Sequence, residues 1–408
     1  MWILNILSSL PVLVIGLSVL GLIGAWARAT LASGGDVRTL AALPQAHGLN
    51  AFFSVLVPAG ACFLGLSLIR LIGHQPGNET LPVAVVFWAV LIVAGIGCIG
   101  AILRSSAKFR ARVAAEAWIK SLLAAASTVA ILTTAGIVLS MLFEAAQFFH
   151  QYGWRDFFLS AEWSPNFRGN SALGILPLLW GTLYVSAIAL AFAVPVGLFA
   201  AIYLSEYAGA RMRGIAKPMI EVLAGIPTIV YGLFALTTVG PMLRDYFAQP
   251  LGLGDSASSV MTAGLVMGIM LIPFVSSLSD DTINAVPQTM RDGSYALGAT
   301  RSETIRQVVI PAALPGIVGA VLLAASRAIG ETMIVVLGAG AAARLSLNPF
   351  EAMTTITVKI VSQLTGDTDF ASPETLVAFA LGLTLFTFTL GLNVLALMIV
   401  RKYREQYE

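Results

Sequence analysis

Two charged residues four positions apart, Arg327 and Glu331, lie inside a long apolar stretch of the chain, LLAASRAIGETMIVVLGAG. A charge at the centre of a lipid bilayer costs about 2.5 to 3.5 kcal/mol on insertion scales, so we expect both side chains to face protein or a water-filled cavity. At 1.5 Å per residue, Arg327 lies about 18 Å along a helix from Pro315, near the middle of a hydrocarbon layer about 30 Å thick. On one continuous helix the two residues share a face and can pair.

Two interpretations of Arg327 and Glu331 stay open. In the first, they form a structural ion pair that holds two helices together. In the second, Arg327 supplies the positive field that an anion needs in order to cross the bilayer, and Glu331 weakens that field so that the ion is released. The second interpretation predicts that replacing Arg327 by Gln abolishes anion uptake while the protein still assembles.

A second apolar stretch, EVLAGIPTIVYG, contains residues that weaken a helix. Gly225, Pro227 and Gly232 remove or weaken backbone hydrogen bonds, which predicts a kinked helix with these three residues as its hinge. Thr228 and Tyr231 either compensate for the lost bonds or line a transport pathway. The sequence does not distinguish a passive hinge from a gate.

A polar stretch, SDDTINAVPQTMRDGSYALGATRSETIRQVV, separates two of the apolar runs. Pro287 is predicted to end a first short helix and Gly298 a second, because a residue without Cβ adopts the left-handed conformation cheaply. Thr300 and Glu303 have the spacing of a capping box, so a third helix starts there. We predict that Pro311 ends this third helix. The stretch therefore predicts a helical hairpin suited to docking; the alternatives are an ordinary loop or a soluble helix-turn-helix.

The composition is that of an integral membrane protein with many spans. Of the 408 residues, 58% are hydrophobic and only 11% are charged, whereas soluble domains carry about 25% charged residues. The formal net charge of +2 gives no electrostatic footprint for nucleic acid. We therefore expect the lipid bilayer, and not nucleic acid, as the surroundings of this chain.

Nine apolar runs are long enough to cross a bilayer. They are 2–26, 52–71, 81–103, 118–143, 175–204, 215–242, 260–278, 315–341 and 376–400. The first run resembles a signal peptide, since Ala27, Arg28 and Ala29 imitate a cleavage site, but it has no basic residues before it and is longer than a signal core. We expect it to be a retained span.

Basic residues predict the orientation of these spans. Lys and Arg concentrate in the connection 104–120, in the connection after residue 204, in the polar stretch and in the tail 401–404. With nine spans all four lie on one side, which the positive-inside rule identifies as the cytoplasm. The C-terminus is therefore predicted to be cytoplasmic and the N-terminus periplasmic.

The sequence contains no motif for chemistry of its own. It has no G-x-x-x-x-G-K-[ST] loop for ATP, no H-E-x-x-H and no G-x-S-x-G. His47, His74 and His150 lie in separate predicted loops, so a metal site is not expected, and Cys62 and Cys98 lie in apolar runs as packing residues. The chain is thus predicted not to be an enzyme and to bind no cofactor or metal.

The polar stretch resembles the EAA loop, by which permease subunits of bacterial ABC importers engage their cytoplasmic ATPases. The residues that fit its spacing are Asp292, Gly293, Ser294, Gly298, Val308, Ile310 and Pro311. The usual Glu-Ala-Ala of that loop is Asp-Gly-Ser here. EVLAGIPTIVYG, SRAIGETMIVVLGAG and GILPLLWGTLYVS are similar to the phosphate-specific members, and GETM resembles the PstC type rather than the PstA type.

This resemblance implies a fold and a division of the chain. The fold is an all-α integral membrane protein, with the six-helix core of a type I ABC importer permease at 118–408 and its coupling loop at 279–311. An extension of about three further transmembrane helices at 1–103 precedes the core. A basic cytoplasmic connection at 104–117 joins the two.

The resemblance also implies a function, which is ATP-driven import of inorganic phosphate across the bacterial inner membrane. The partners it implies are a second permease of the PstA type, two cytoplasmic ATPase subunits that bind ATP and Mg²⁺, and a periplasmic phosphate-binding protein. It assigns Arg327 and Glu331 to the pathway and 292–311, with Thr300 and Glu303, to the ATPase contact. The alternatives are a permease for another oxyanion such as sulfate, molybdate or phosphonate, or an ion-driven secondary transporter that uses Arg327 and Glu331 as a charge relay.

Overall fold

The computed structural model describes residues 2–34, 38, 40–72, 82–166, 171–366 and 372–404. His74 and Leu81, from a predicted loop and from the start of a predicted span, lie outside the described residues. Most of the described residues are helical. A helix satisfies its backbone polar groups internally, which is what an apolar run needs in lipid.

The helices follow the apolar runs closely. They are α1 (Trp2–Ala32), α2 (Pro44–Ile72), α3 (Val83–Arg104), α4 (Ala111–Gln151), α5 (Trp154–Leu159), α6 (Leu176–Ile202), α7 (Ala210–Ala224), α8 (Thr228–Phe234), α9 (Gly240–Leu243), α10 (Val260–Asn284), α11 (Gln288–Ala296), α12 (Arg301–Thr304), α13 (Ile310–Ile329), α14 (Met333–Gly338), α15 (Ile356–Gly366) and α16 (Pro373–Arg404). Two short strands, β1 (Trp163–Ser164) and β2 (Ala172–Leu173), pair antiparallel.

Among the described residues, eight helices are long and apolar enough to cross a membrane. The number becomes nine if α7 and the helix after it, which are bent against each other, form one span. Nine is the number of spans that the sequence predicts. His47 and His150 do not lie in loops as predicted, since His47 belongs to α2 and His150 to the last turn of α4.

The chain divides into two compact units, residues 1–135 and 136–408. The first unit contains α1, α2 and α3, which pack on one another through an apolar core that includes Leu10, Val55 and Val90. The border between the units lies inside α4 and not in the predicted connection 104–117. The reason is that α4 is one continuous helix of 41 residues that starts directly after that connection.

The second unit is built around α10. This helix lies along α6, and Val185, Ala189, Met267 and Leu271 are fully buried in the core that the two helices share. A second core surrounds the two strands and includes Phe148 from the end of α4. The second unit contains both predicted functional regions.

The eighth apolar run differs from its prediction at both ends. The helix that starts at Arg301 is not ended by Pro311 but continues to Ile329. Just before Pro311 the helix widens into a π turn, Ile305–Val309, in which the N–H of Ile310 donates to the carbonyl of Ile305. A widened turn relieves the clash between a proline ring and the preceding turn. The helix then ends at Ile329, so the predicted span 315–341 is interrupted.

Candidate translocation and coupling sites

The predicted kink is a break between α7 and α8. Gly225 ends α7 and Pro227 directly precedes α8, and the two helical segments are bent by 87°. Proline has no N–H and glycine is a poor helix former, so neither supports a continuous helix here. Two of the three predicted hinge residues therefore lie at the bend itself.

Gly232, the third predicted hinge residue, lies inside α8 and away from the bend. It is buried, and a Cβ at this position would lie 2.8 Å from the carbonyl oxygen of Met333 in α14. Its lack of a side chain serves close packing of α8 on α14, which corrects the prediction.

Tyr231 and Thr228, the predicted compensating or lining residues, occupy different environments. Tyr231 is buried, and its hydroxyl donates to the carbonyl of Leu223 at 2.8 Å, across the bend. Thr228 is half-buried as the first residue of α8. This bond fits the compensating role, because it adds a partner to a carbonyl at the break that otherwise accepts only a long bond of 3.4 Å from the N–H of Ile226.

A second break separates α13 from α14, and it contains Glu331. Gly330 ends α13, and Oε1 of Glu331 accepts hydrogen bonds from the N–H groups of Thr332 and Met333, both at 3.1 Å. A carboxylate that bonds to the next backbone amides competes with helix formation. The chain therefore leaves the helix between Arg327 and Glu331.

This break removes the predicted pairing of Arg327 with Glu331. The two residues are not on one continuous helix, so their spacing of four does not give them a common face. None of the ion pairs among the described residues joins them. The structural ion pair considered for these residues is absent from the described part of the chain.

Arg327 is exposed and lies at mid-height of α10. Its guanidinium carbon is 5.8 Å from the ring centroid of Phe274. Phe274 is about 21 Å from Val260 at one end of α10 and about 15 Å from Asn284 at the other, at 1.5 Å per residue. Arg327, in the last turn of α13, thus lies beside the middle of α10 and has no carboxylate partner among the described residues.

Sequence reasoning missed the contribution of α15 to this region. The hydroxyl of Thr357 donates to the carbonyl of Glu331 at 2.9 Å and shares a hydrogen bond with Thr355. Nζ of Lys359 donates to the carbonyl of Ala341 at 3.2 Å, and burial lowers the pKa of this amino group from its ordinary value. The available signal was the segment TTITVK, which places three threonines and a lysine between two predicted spans.

The polar stretch forms the predicted helical hairpin. α11 follows Pro287, and Gly298 makes the turn with φ of +86°, in the left-handed region that favours glycine. The capping box is present: the N–H of Thr300 donates to Glu303 Oε2 at 2.8 Å, and the N–H of Glu303 donates to the Thr300 hydroxyl at 3.4 Å. The local geometry of the hairpin is as predicted.

A hydrogen bond joins the two helices of the hairpin, and the tip of the hairpin is exposed to solvent. Ser294 of α11 and Thr304 of α12 share a hydrogen bond of 2.9 Å between their hydroxyls, which holds the two helices together. At the tip, Leu297 is 91% exposed. Of the predicted coupling residues, Asp292 and Gly293 lie on the exposed α11, whereas Val308, Ile310 and Pro311 are half-buried at the root of the hairpin.

These features define a class of protein, the membrane-spanning component of a transport system. The family model described as "Binding-protein-dependent transport system inner membrane component" matches residues 193–405, more than half of the chain. The chain belongs to this family. It is a multi-pass inner-membrane transport component, which confirms the predicted all-helical permease.

Curated relatives agree with this assignment. A probable ABC transporter permease protein, YqgH of Bacillus subtilis, is 33% identical over 246 residues, which cover 60% of this chain and 76% of that protein. The phosphate transport system permease protein PstC of Mesorhizobium japonicum is 33% identical over 297 residues, covering 68% of this chain and 88% of that protein. A crystal structure of a bacterial ABC transporter involved in alginate import matches 70% of this chain and 98% of its own, with a TM-score of 0.48 and 15% identity.

Proposed function

We propose that this chain is one permease subunit of an ATP-driven importer of inorganic phosphate in the bacterial inner membrane. The observation that carries the proposal is Arg327, an exposed cation beside the middle of α10 that has no acidic partner among the described residues. Such a group is costly in a membrane unless a partner or a passing anion compensates it. The relative from Mesorhizobium japonicum, named as a phosphate transport permease, supports phosphate as that anion.

The chemistry of arginine suits an oxyanion. A guanidinium presents several N–H donors in one plane and binds phosphate oxygens in pairs. Glu331 supplies a hydrogen-bond acceptor to complement the donors of Arg327. Its hydrogen bonds to the N–H groups of Thr332 and Met333 both use Oε1, so Oε2 remains an acceptor. Phosphate carries a proton at neutral pH and sulfate does not, so a carboxylate beside the pathway favours phosphate over sulfate.

The exposed face of Arg327 also supports a heterodimer. In a single chain this arginine is exposed, so we propose that a second, homologous permease subunit of the PstA type closes the pathway around it.

The long apolar surface of α4, which is exposed over most of its length, suits contact with lipid. A periplasmic phosphate-binding protein would deliver the ion from the other side.

The helical hairpin is the proposed contact for the ATPase. Its exposed tip carries Leu297 and its helices carry Asp292, Thr300 and Glu303. Two cytoplasmic subunits would bind ATP and Mg²⁺ and move this hairpin. In this orientation the hairpin and the C-terminus face the cytoplasm and the N-terminus faces the periplasm.

Uptake by the reconstituted complex tests the proposal. The chain is purified with its co-encoded permease and ATPase subunits, placed in liposomes and supplied with the binding protein and internal ATP. We expect ATP-dependent uptake of phosphate that excess sulfate or molybdate does not inhibit. Uptake of sulfate or molybdate instead of phosphate would replace the substrate, and transport by this chain alone without an ATPase would support the secondary transporter.

A charge-removing variant tests the role of Arg327. We expect Arg327→Gln to lower phosphate uptake by about a hundredfold, which corresponds to about 2.7 kcal/mol, while the complex assembles normally. The matched control is Arg344→Gln, because Arg344 is an exposed loop arginine that forms a long ion pair of 3.8 Å with Glu351. Normal uptake by the Arg327→Gln complex would contradict the proposed pathway.

A further inference from the structure

The last turn of α10 contains a buried carboxylate, Asp280, whose side chain is only 2% exposed. Nη2 of Arg213 donates to both of its oxygens, at 3.1 and 3.0 Å, and Nζ of Lys217 donates to Oδ2 at 2.7 Å. Asn284, one turn later, donates from Nδ2 to Oδ1 at 2.9 Å. Both cations belong to α7, so one carboxylate of α10 holds two successive turns of α7.

The burial of Asp280 makes this contact hard to break. A buried carboxylate is stable only when it is paired and hydrogen-bonded, and removing its partners leaves an uncompensated charge. The neighbouring Asp281 differs from Asp280 in both burial and distance. Its side chain is 66% exposed, and its ion pair with Lys217 is longer, at 3.5 Å. A movement of this turn of α10 therefore carries α7 with it.

The same turn of α10 is bonded to the helical hairpin. Nη2 of Arg291 in α11 donates to the carbonyl of Ile283 at 2.8 Å. Nη1 of Arg291 pairs with Glu206, in the π turn that follows α6, and both side chains are nearly buried, at 12% and 6% exposure. The hairpin is thus fixed to the end of α10 and the end of α6 by a charged group with little access to solvent.

Beyond α7, the contacts continue to the second break. α7 ends at the 87° bend, and α8 packs on α14 where Gly232 approaches the carbonyl of Met333. The N–H of Met333 is one of the two donors to Glu331. A contiguous series of contacts therefore runs from the hairpin through the last turn of α10, α7 and α8 to the carboxylate beside the proposed pathway.

We propose that Asp280 is the positioning residue that transmits movement of the helical hairpin to α7 and so links ATP hydrolysis to opening of the pathway. This inference rests on the proposed function. A contiguous series of contacts does not by itself demonstrate coupling, so the test must measure coupling directly.

The measurement is the ratio of phosphate transported to ATP hydrolysed in the reconstituted complex, for Asp280→Asn and for Asp280→Glu. Asparagine keeps the shape of the side chain but removes the charge that Arg213 and Lys217 need. We expect the Asp280→Asn complex to assemble and to hydrolyse ATP while the ratio falls by about tenfold, a typical size for coupling between two sites. Asp280→Glu retains the charge and is expected to recover much of the ratio.

The control variant is Asp245→Asn, which removes an exposed aspartate whose recorded ion pair is with the adjacent Arg244. We expect its ratio to equal that of the wild type. If Asp280→Asn does not assemble, Lys217→Gln is measured by the same ratio. Lys217 is 30% exposed, and its replacement leaves Asp280 paired with Arg213. A purely structural role would lower uptake and hydrolysis together and leave the ratio unchanged.

The outcomes separate this inference from the function on which it rests. A wild-type complex that shows no ATP-dependent phosphate uptake overturns the proposed function. A wild-type complex that transports, together with an Asp280→Asn or Lys217→Gln complex whose ratio is unchanged, overturns the role of Asp280 alone.

Discussion

The two helix breaks of the second unit differ in what satisfies their backbone. At the break between α7 and α8, a neutral hydroxyl from Tyr231 bonds the carbonyl of Leu223. At the break between α13 and α14, the charged carboxylate of Glu331 accepts from two backbone amides. Both solutions satisfy polar groups that lipid would not tolerate. Only the second carries a charge, four residues along the chain from the exposed Arg327.

The two breaks therefore use a neutral group and a charged group for the same structural purpose. At the bend between α7 and α8, one backbone carbonyl needs a hydrogen-bond donor. The neutral hydroxyl of Tyr231 provides it at a low cost in desolvation. An ionised carboxylate within a membrane protein's spans is expensive, so we expect a further role for Glu331. We therefore expect the two breaks to respond differently when the bond that closes each one is removed.

The larger effect is expected at the charged break. Glu331→Gln keeps an oxygen that can accept the two amide hydrogen bonds, but it removes the charge that opposes Arg327. An unopposed guanidinium holds the anion more tightly, and we expect phosphate uptake to fall by about tenfold, equivalent to about 1.4 kcal/mol. The thermal stability of the complex should be unchanged. Uptake assays and melting curves on the same preparation check both parts.

A matched control for this prediction is Glu351→Gln, in the loop before α15, where the carboxylate lies 3.8 Å from Arg344. Its uptake should equal that of the wild type. If Glu331→Gln also transports phosphate normally, the carboxylate acts only as a helix cap. The α13–α14 break would then be purely structural, like the α7–α8 break.

The smaller effect is expected at the neutral break. Tyr231→Phe removes the hydroxyl and leaves the carbonyl of Leu223 without this partner, at a cost of about 0.5 to 1.5 kcal/mol in the free energy of unfolding. Phosphate uptake should stay close to the wild-type rate, because the ring and the bend remain. Tyr246→Phe, which alters a tyrosine that is 74% exposed, should change neither quantity. Loss of uptake without loss of stability in Tyr231→Phe would assign this break to the pathway.

The parts of the fold that depend on local sequence were predictable. Gly298 and the pair Thr300 and Glu303 act over three or four residues, and their geometry is the one expected from spacing alone. The bend at Gly225 and Pro227 was predictable for the same reason, since both residues disfavour a continuous helix wherever they occur.

Three features were not predictable, one because a side chain bonds the adjacent backbone and two because the residues in contact are distant in the sequence. The sequence treats Arg327 and Glu331 as neighbours on one helix, and only the bonds of the Glu331 carboxylate to its own backbone separate them. The sequence predicts Gly232 as a hinge, since nothing local indicates its contact with α14, about 100 residues further along the chain. The pair of Glu206 with Arg291 joins residues 85 positions apart, and no periodic pattern indicates it.

The central claim is that the helical hairpin faces the cytoplasm and receives the ATPase, and site-directed labelling tests it most directly. A cysteine is introduced at Leu297, at the tip, and as a comparison at Leu347, a 77% exposed residue in the loop between α14 and α15. Both variants are made after replacing Cys62 and Cys98 by alanine. The complex is then exposed from the periplasmic side to a thiol reagent that does not cross membranes.

We expect Leu347→Cys to be labelled from the periplasmic side, whereas Leu297→Cys is protected there and cross-links to the ATPase subunit. Labelling of Leu297→Cys from the periplasm, or no cross-link in a complex that is active in transport, would contradict the claim.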